Sequence, residues 1–281
     1  MKKVWLKCFL QEVCGDMAKR YNQLSGKEWL QYSFSIWRDL KKNPEERSLS
    51  HPAMFPLDLA NRIIDIYSVE KNIVLDPFSG IGTTMLAAYI KKRKAISVEL
   101  STKFYNIQKK RLADIKKQSK VLIDPVLIND DSRKLSDHVK LNTVDLCLTS
   151  PPYWDILNMR RSADKKRVKN YGDSKIDVGN ISDYGLFLDE IMEIFSRVYS
   201  VLRVGGHCIV VLMDIRKKDK FYPFHSDLAT RMQNIGFTFE DIIIWDRQHE
   251  YNNMKPLGYP YVFRVNKVHE YILIFRKKGQ K

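Results

Sequence analysis

The amino-acid sequence predicts an α/β protein: a mostly parallel sheet of seven strands with an antiparallel strand at one edge, and helices on both faces. Three observations predict it. From residue 57 onward, short apolar runs alternate with segments of helical spacing. A glycine turn leaves the first apolar run and opens directly into a helix. The last two apolar runs follow one another without a helix between them, which suits an antiparallel pair rather than a crossover.

Residues 1–50 read as an irregular arm rich in aromatic side chains, Trp5, Trp29, Tyr32, Phe34 and Trp37 among them, ending in the polar linker KKNPEERS (41–48). The main domain then occupies 51–281. LDLANRIIDIY (57–67) has helical spacing with Asp58 in its first turn, and NIVLD (72–76) is a short buried strand. TTMLAAYIKK (83–92) is a helix and AISVEL (95–100) the second strand. TKFYNIQKKRLADIKKQ (102–118) is an amphipathic helix with a basic outer face; PVLIND (125–130) and VDLCLT (144–149) are the third and fourth strands. DYGLFLDEIMEIFSRVYSVL (183–202) is a helix closed by Gly205-Gly206, followed by the strand HCIVVLM (207–213). SDLATRMQNIG (226–236) is a helix with Gly236 as its stop. FEDIIIW (239–245) and HEYILIF (269–275) complete the seven strands.

Composition narrows the function. The chain has 281 residues, 44% hydrophobic and 29% charged, which is globular rather than disordered. Its 48 Lys and Arg outnumber 33 Asp and Glu, a net charge of +15. Such a balance calls for a polyanionic partner, of which nucleic acid is the commonest, although charge alone also allows an anionic membrane surface. No apolar run approaches the roughly 20 residues of a membrane span, and the N-terminus lacks the apolar core of a signal peptide. Cys8, Cys14, Cys147 and Cys208 have neither zinc-site nor thioredoxin spacing and read as reduced thiols, so a cytoplasmic location is expected.

Three motifs carry the chemistry. LDPFSGIGTTMLAA (75–88) ends a strand in Asp76, turns through Gly80 and Gly82, and starts a helix at Thr83. Such a turn lets a ligand approach the backbone beyond the carboxyl ends of the strands. It lacks the Gly-Lys-Ser/Thr ending of a phosphate loop, which disfavours ATP. Glu99 ends the next strand, where a carboxylate accepts ribose hydroxyls, and Asp130 or Asp131 after the third strand is placed to accept an adenine amine. The third motif, DLCLTSPPYWD (145–155), puts Ser150-Pro151-Pro152-Tyr153 after the fourth strand. Paired prolines hold an extended backbone whose carbonyls point outward as acceptors. A base amine is a poor nucleophile because its lone pair is delocalised. Accepting its N–H bonds at Ser150 Oγ and a carbonyl favours a pyramidal nitrogen, while Tyr153 stacks on the extruded base.

These residues together resemble the S-adenosylmethionine-dependent DNA methyltransferases that modify exocyclic amines. DPFSGIGTT is similar to the cofactor loop of that family and TSPPYW to its catalytic motif. HPAMFP (51–56) resembles the segment that closes over the methionine end of the cofactor, and HEYILIFRK (269–277) the closing strand. The resemblance implies a Rossmann-like methyltransferase fold and S-adenosylmethionine as cofactor. It implies that Gly80, Gly82 and Thr83 line the methionine portion with Phe55, Pro56 and Phe78, with Asp76 and Pro77 beside them. It further implies that Glu99 binds the ribose, Asp131 the adenine, and Ser150, Pro151, Pro152 and Tyr153 the target amine. Ser-Pro-Pro-Tyr is the form typical of cytosine-N4 members; adenine-N6 members more often begin with Asp or Asn. Double-stranded DNA is the implied partner, with a companion restriction endonuclease as a further one. The cofactor half precedes the catalytic half, unlike many serine-type members, and no long recognition domain is visible.

The candidate DNA-recognition insertion is 155–182. Between positions 160 and 169 of it, Arg160, Arg161, Lys165, Lys166, Arg167 and Lys169 stand against one acid, Asp164, and suit phosphates. Residues 246–267 are a second candidate. An adenine-N6 enzyme, an RNA or protein amine methyltransferase, and a catalytically silent nucleic-acid-binding module are the competing readings. Nucleoside mass spectrometry, DNA against RNA competition, and calorimetry with the cofactor separate them.

Overall fold

A computed structural model describes residues 20–48, 54–118, 123–158, 177–251 and 256–279. The chain begins with α1 (Gly26–Tyr32), β1 (Ile36–Trp37), α2 (Pro44–Ser48) and α3 (Leu57–Tyr67). The alternating part follows: β2 (Ile73–Asp76), α4 (Thr83–Ile90), β3 (Lys94–Val98), α5 (Thr102–Gln118), β4 (Val126–Ile128), α6 (Leu135–His138) and β5 (Val144–Thr149). Then come α7 (Tyr184–Val201), β6 (Leu202–Leu212), the hairpin β7 (Ile215–Lys217) and β8 (Lys220–Tyr222), α8 (Phe224–Ile235), β9 (Phe237–Asp246) and β10 (His269–Lys277). No described helix is long and apolar enough to cross a membrane.

Eight strands form one sheet in the order β1-β9-β10-β6-β5-β2-β3-β4. The β2–β3, β2–β5, β3–β4 and β5–β6 ladders are parallel, and β10 is antiparallel to both β6 and β9. The antiparallel strand is therefore interior, where the sequence suggested an edge. Its unbroken apolar run explains this: Ile272 to Phe275 are at most 3% exposed, so both faces need cover.

Side chains alternate between two cores. On one face Cys147, Cys208, Val210 and Phe275 meet Phe187, Ile191, Phe195 and Val198 of α7 and Met232 of α8. On the other, Leu146, Leu148, Ile209 and Ile274 meet Leu59, Ile63 and Ile64 of α3 and Met85 of α4. Each such aliphatic side chain contributes roughly 1.5–3 kcal/mol when fully buried. Cys147 and Cys208 face each other across β5–β6 as buried free thiols; Cys8 and Cys14 lie outside the described residues.

Three local readings change. The arm supplies the eighth strand: β1 pairs in parallel with β9 through Ile36–Ile244 and Trp37–Trp245, and Trp37 is buried under the Arg62 guanidinium. The polar linker contains Glu46, which is buried and accepts the Leu57 N–H at 2.6 Å, capping α3 from eleven residues upstream because Pro56 has no side-chain cap to offer. Gly205 and Gly206 lie inside β6 rather than behind α7. Gly205 has φ +80°, and a Cβ on Gly206 would meet the Arg203 and Asp145 carbonyls at 2.9 and 3.0 Å. The glycines admit a close backbone approach where the β5–β6 register shifts.

Candidate active site

The carboxyl ends of β2, β3, β4 and β5 share one edge of the sheet. From β2 the chain turns at Pro77–Gly82. Gly82 has φ +80°, and a Cβ there would stand 2.9 Å from Met85 Cε and 3.0 Å from Gln108 Cγ, so only glycine fits. Two α5 side chains hold the turn: Gln108 Nε2 donates to Ser79 Oγ at 2.7 Å and to the Gly80 carbonyl at 2.8 Å, and Arg111 donates to the Ile81 carbonyl at 2.7 Å. Neither was predicted; within a helix of basic and polar residues nothing in the spacing distinguishes them. Met54 packs against Ile81 and Phe104, and Phe55 lies in the α3 core, so Met54–Pro56 abuts the turn; His51–Ala53 lie outside the described residues.

Three acids of this half, Asp76, Glu99 and Asp177, have no salt-bridge partner among the described residues. Asp76, 3% exposed, accepts from Thr149 Oγ1 at 2.6 Å and from the Phe78 N–H at 3.1 Å; burial pushes its carboxyl up to about 6. Glu99 accepts the Gly80 and Ser101 N–H groups, each at 2.8 Å. Burial, with repulsion from Asp76 and Asp177 behind it, pushes Glu99 up to about 7. Burial raises Asp177 as well. Asp177 was not predicted; the chain brings it to Glu99 only on returning from residues 159–176.

Asp131, expected to meet the adenine amine, already has a cationic partner. Its side chain caps a short 3₁₀ turn through the Arg133 N–H, and the Arg133 guanidinium forks both carboxylate oxygens before reaching Glu190. An adenine amine would have to compete with that guanidinium. Asp130 is likewise engaged, with His138 at 2.9 Å and Lys134 at 3.0 Å.

The Ser-Pro-Pro-Tyr motif sits next to the turn because β5 pairs with β2, Leu75 opposite Cys147. Pro151 is buried; Ser150, Pro152 and Tyr153 are half-buried. Ser150 Oγ donates to the Tyr153 hydroxyl at 3.3 Å, which donates to Glu270 Oε2 at 2.9 Å. Glu270, on β10, is paired with Arg247, whose guanidinium also reaches Glu250 and lies 4.7 Å above the Trp245 ring. Burial and the Glu270 carboxylate push the Tyr153 hydroxyl well above its ordinary range, so it keeps its proton. Its proton directed to Tyr153, Ser150 Oγ retains lone pairs for an incoming donor. Trp154 follows with φ +53°, strained for a bulky residue, and is held between Tyr184 and Tyr222. Sequence reasoning missed Glu270 and Arg247; in HEYILIF the acid looks like one more alternating strand residue. Arg160, Arg161, Lys165, Lys166 and Arg167 lie outside the described residues.

Fold and site together define a Rossmann-like α/β sheet whose parallel strand ends carry a glycine turn beside a Ser-Pro-Pro-Tyr motif. The sequence pattern of the N6/N4 DNA methylase family matches residues 3–110 and 144–281, and this chain belongs to that family. The orphan methyltransferase M.BamHII of Bacillus amyloliquefaciens is 34% identical over 39% of this chain and 43% of its own length. The type II methyltransferases M.MthZI of Methanothermobacter thermautotrophicus and M.MjaI of Methanocaldococcus jannaschii are 32% and 29% identical, over 39% and 54% of this chain and 30% and 55% of their own. The chain thus spans between about a third and about half of these relatives. Among solved structures, a SAM-dependent methyltransferase from Methanosarcina mazei shares the fold at 12% identity, covering 78% of this chain and 98% of its own, with a TM-score of 0.51. A Thermus thermophilus protein assigned as a DNA modification methylase and solved with S-adenosyl-L-methionine is 27% identical over 53% of this chain and 52% of its own, with a TM-score of 0.37.

The methyl donor of the family is S-adenosylmethionine, and the residues present fit it. Asp76, Glu99 and Asp177 form no salt bridge among the described residues, and this cofactor brings a sulfonium and an ammonium. Thr83 Oγ1 and Gln108 Oε1 are buried without a partner beside the turn.

Proposed function

We propose that the protein transfers the methyl group of S-adenosylmethionine to an exocyclic amine of a base in double-stranded DNA, and that the amine is cytosine N4. The observation that carries this reading is the 2.6 Å hydrogen bond from Thr149 to Asp76. It ties the residue before Ser150 to the residue before the glycine turn, which supports amine acceptors and methyl donor lying side by side at one edge of the sheet. The cofactor supplies a methyl group already activated by its sulfonium, so the protein's task is positioning and charge. Gly80, Gly82 and Thr83 give it a close-fitting turn, with Phe55, Pro56, Pro77 and Phe78 around it; Glu99 accepts from its ribose. Ser150 and the carbonyls of the Pro151-Pro152 rim accept the amine hydrogens, and Tyr153 fixes the Ser150 rotamer. Serine at the head of the motif favours cytosine.

Mass spectrometry of nucleosides from DNA incubated with the protein and S-adenosylmethionine is expected to yield N4-methylcytosine. N6-methyladenine in its place would move the assignment to adenine, and methylation of neither base would overturn the amine reading altogether.

Cofactor affinity depends on pH with a definite sign. The raised Glu99 carboxyl, about 7 against an ordinary 4.5, is protonated in slightly acid solution. The ionised form accepts ribose hydroxyls and attracts the cationic cofactor. Affinity by calorimetry therefore rises from pH 5.5 to 8, by at most about tenfold per unit, and binding near pH 6.5 releases protons. The free protein shows the converse: the raised carboxyl favours the fold below 4.5, a contribution lost as pH rises through about 7. Glu99→Gln should flatten the affinity profile; an unchanged profile would remove Glu99 from the cofactor site.

A further inference from the structure

Strand order divides the sheet at β5. The turn and its acids belong to β2 and β3. On the other side β6 and β9 run in the same direction as β5, both being antiparallel to β10, so their carboxyl ends open on the same edge as Ser150. From β6 rises the β7–β8 hairpin; from β9 rises the connection that returns at His269.

The two protrusions are joined to each other and to the catalytic motif. Lys217 Nζ donates to Asp155 at 2.6 Å and lies 3.8 Å above the Trp154 ring, immediately past Tyr153. The Arg264 guanidinium donates to the Lys218 carbonyl, and Arg216 and Lys267 lie 5.5 and 5.4 Å from the Phe221 ring. Gly258 makes the tight turn: its φ is +79°, and a Cβ there would collide with the Val262 carbonyl oxygen at 2.2 Å. Beyond that turn Tyr261 and Phe263 stand 92% and 94% exposed, while residues 215–222 and 256–268 carry six Lys and Arg against Asp219 alone. Nearly complete exposure of a phenyl ring costs hydrophobic free energy that the monomer never recovers. Rings set among cations suit a stacked polyanion.

We propose that the β7–β8 hairpin and residues 256–268 form a lip that grips duplex DNA beside the catalytic motif, the cations on phosphates and Tyr261 or Phe263 entering the base stack. This rests on the reading that the substrate is duplex DNA. Extruding a base breaks its stacking on both neighbours, and an inserted aromatic ring replaces part of that loss.

The test uses the full chain and tritiated S-adenosylmethionine, with plasmid DNA, the same DNA heat-denatured, and structured RNA as acceptors. For the Tyr261→Ala/Phe263→Ala double variant the ratio of duplex to single-strand kcat/KM falls at least tenfold, with cofactor affinity within threefold of wild type. In Lys218→Gln/Arg264→Gln the slope of log affinity for duplex against log salt drops by about two. A ratio within threefold of wild type, or an unchanged salt slope, overturns the lip while leaving the DNA methyltransferase reading intact. A wild-type protein that labels RNA and neither form of DNA overturns that reading, and the lip with it.

Discussion

Ser150→Ala should lower turnover on DNA by about 10²-fold or more, the usual scale for removing one oriented group that acts on developing charge. The alanine keeps the Pro151-Pro152 backbone and loses only the hydroxyl oxygen. Among the described residues Ser150 Oγ hydrogen-bonds to Tyr153, so the dissociation constant for S-adenosylmethionine should move less than threefold. Tyr153→Ala removes more: the ring proposed to meet the extruded base and the hydroxyl between Ser150 and Glu270. Tyr153→Phe separates the two, keeping the ring; its deficit, on the order of tenfold, reports on Ser150 orientation alone. Stopped turnover assays on saturating DNA, paired with calorimetry, check all three. Wild-type turnover in both alanine variants would refute the placement of the target amine.

The second large effect is on stability. Glu270 and Arg247 are 7% and 15% exposed in their side chains and face each other at the end of β10. Glu270→Gln leaves a buried guanidinium with only the more exposed Glu250 to balance it, a change of about 3 kcal/mol by analogy with other broken buried pairs. For a domain of this size that corresponds to a fall in Tm of roughly 6–12 °C. Replacing both partners by apolar residues of similar volume should recover most of the loss in urea titrations, because no uncompensated charge remains. Turnover should not recover with it, since Tyr153 still lacks its carboxylate acceptor. A Glu270→Gln protein melting within 1–2 °C of wild type would show that the pair is solvated.

The two periodicities carried most of the fold. Leu59, Ile63 and Ile64 mark α3, and Phe187 through Val198 mark α7, because a helix that packs on a sheet needs one apolar stripe. The place of Asp76 and Glu99 beside the glycine turn was legible because strand ends in a parallel sheet share one edge. What stayed hidden depends on partners far along the chain. Two residues at 36–37 have no period of their own and become a strand only against β9. Glu46 looks like a linker charge until Leu57 N–H points at it. Strand order is equally unreadable, which is why β10 was expected at an edge. At Asp131 the unforeseen partner is local: Arg133, two residues on, offers a charged fork to the carboxylate expected to meet an adenine amine.

The partition of the sheet at β5 has an evolutionary corollary. Lengthening the connection after β6 or after β9 disturbs none of the hydrogen bonds that hold Gly80, Glu99 and Gln108. Descendants that keep Lys217 and the Arg247–Glu270 pair are free to rewrite the rest of those connections while inheriting the glycine turn unchanged.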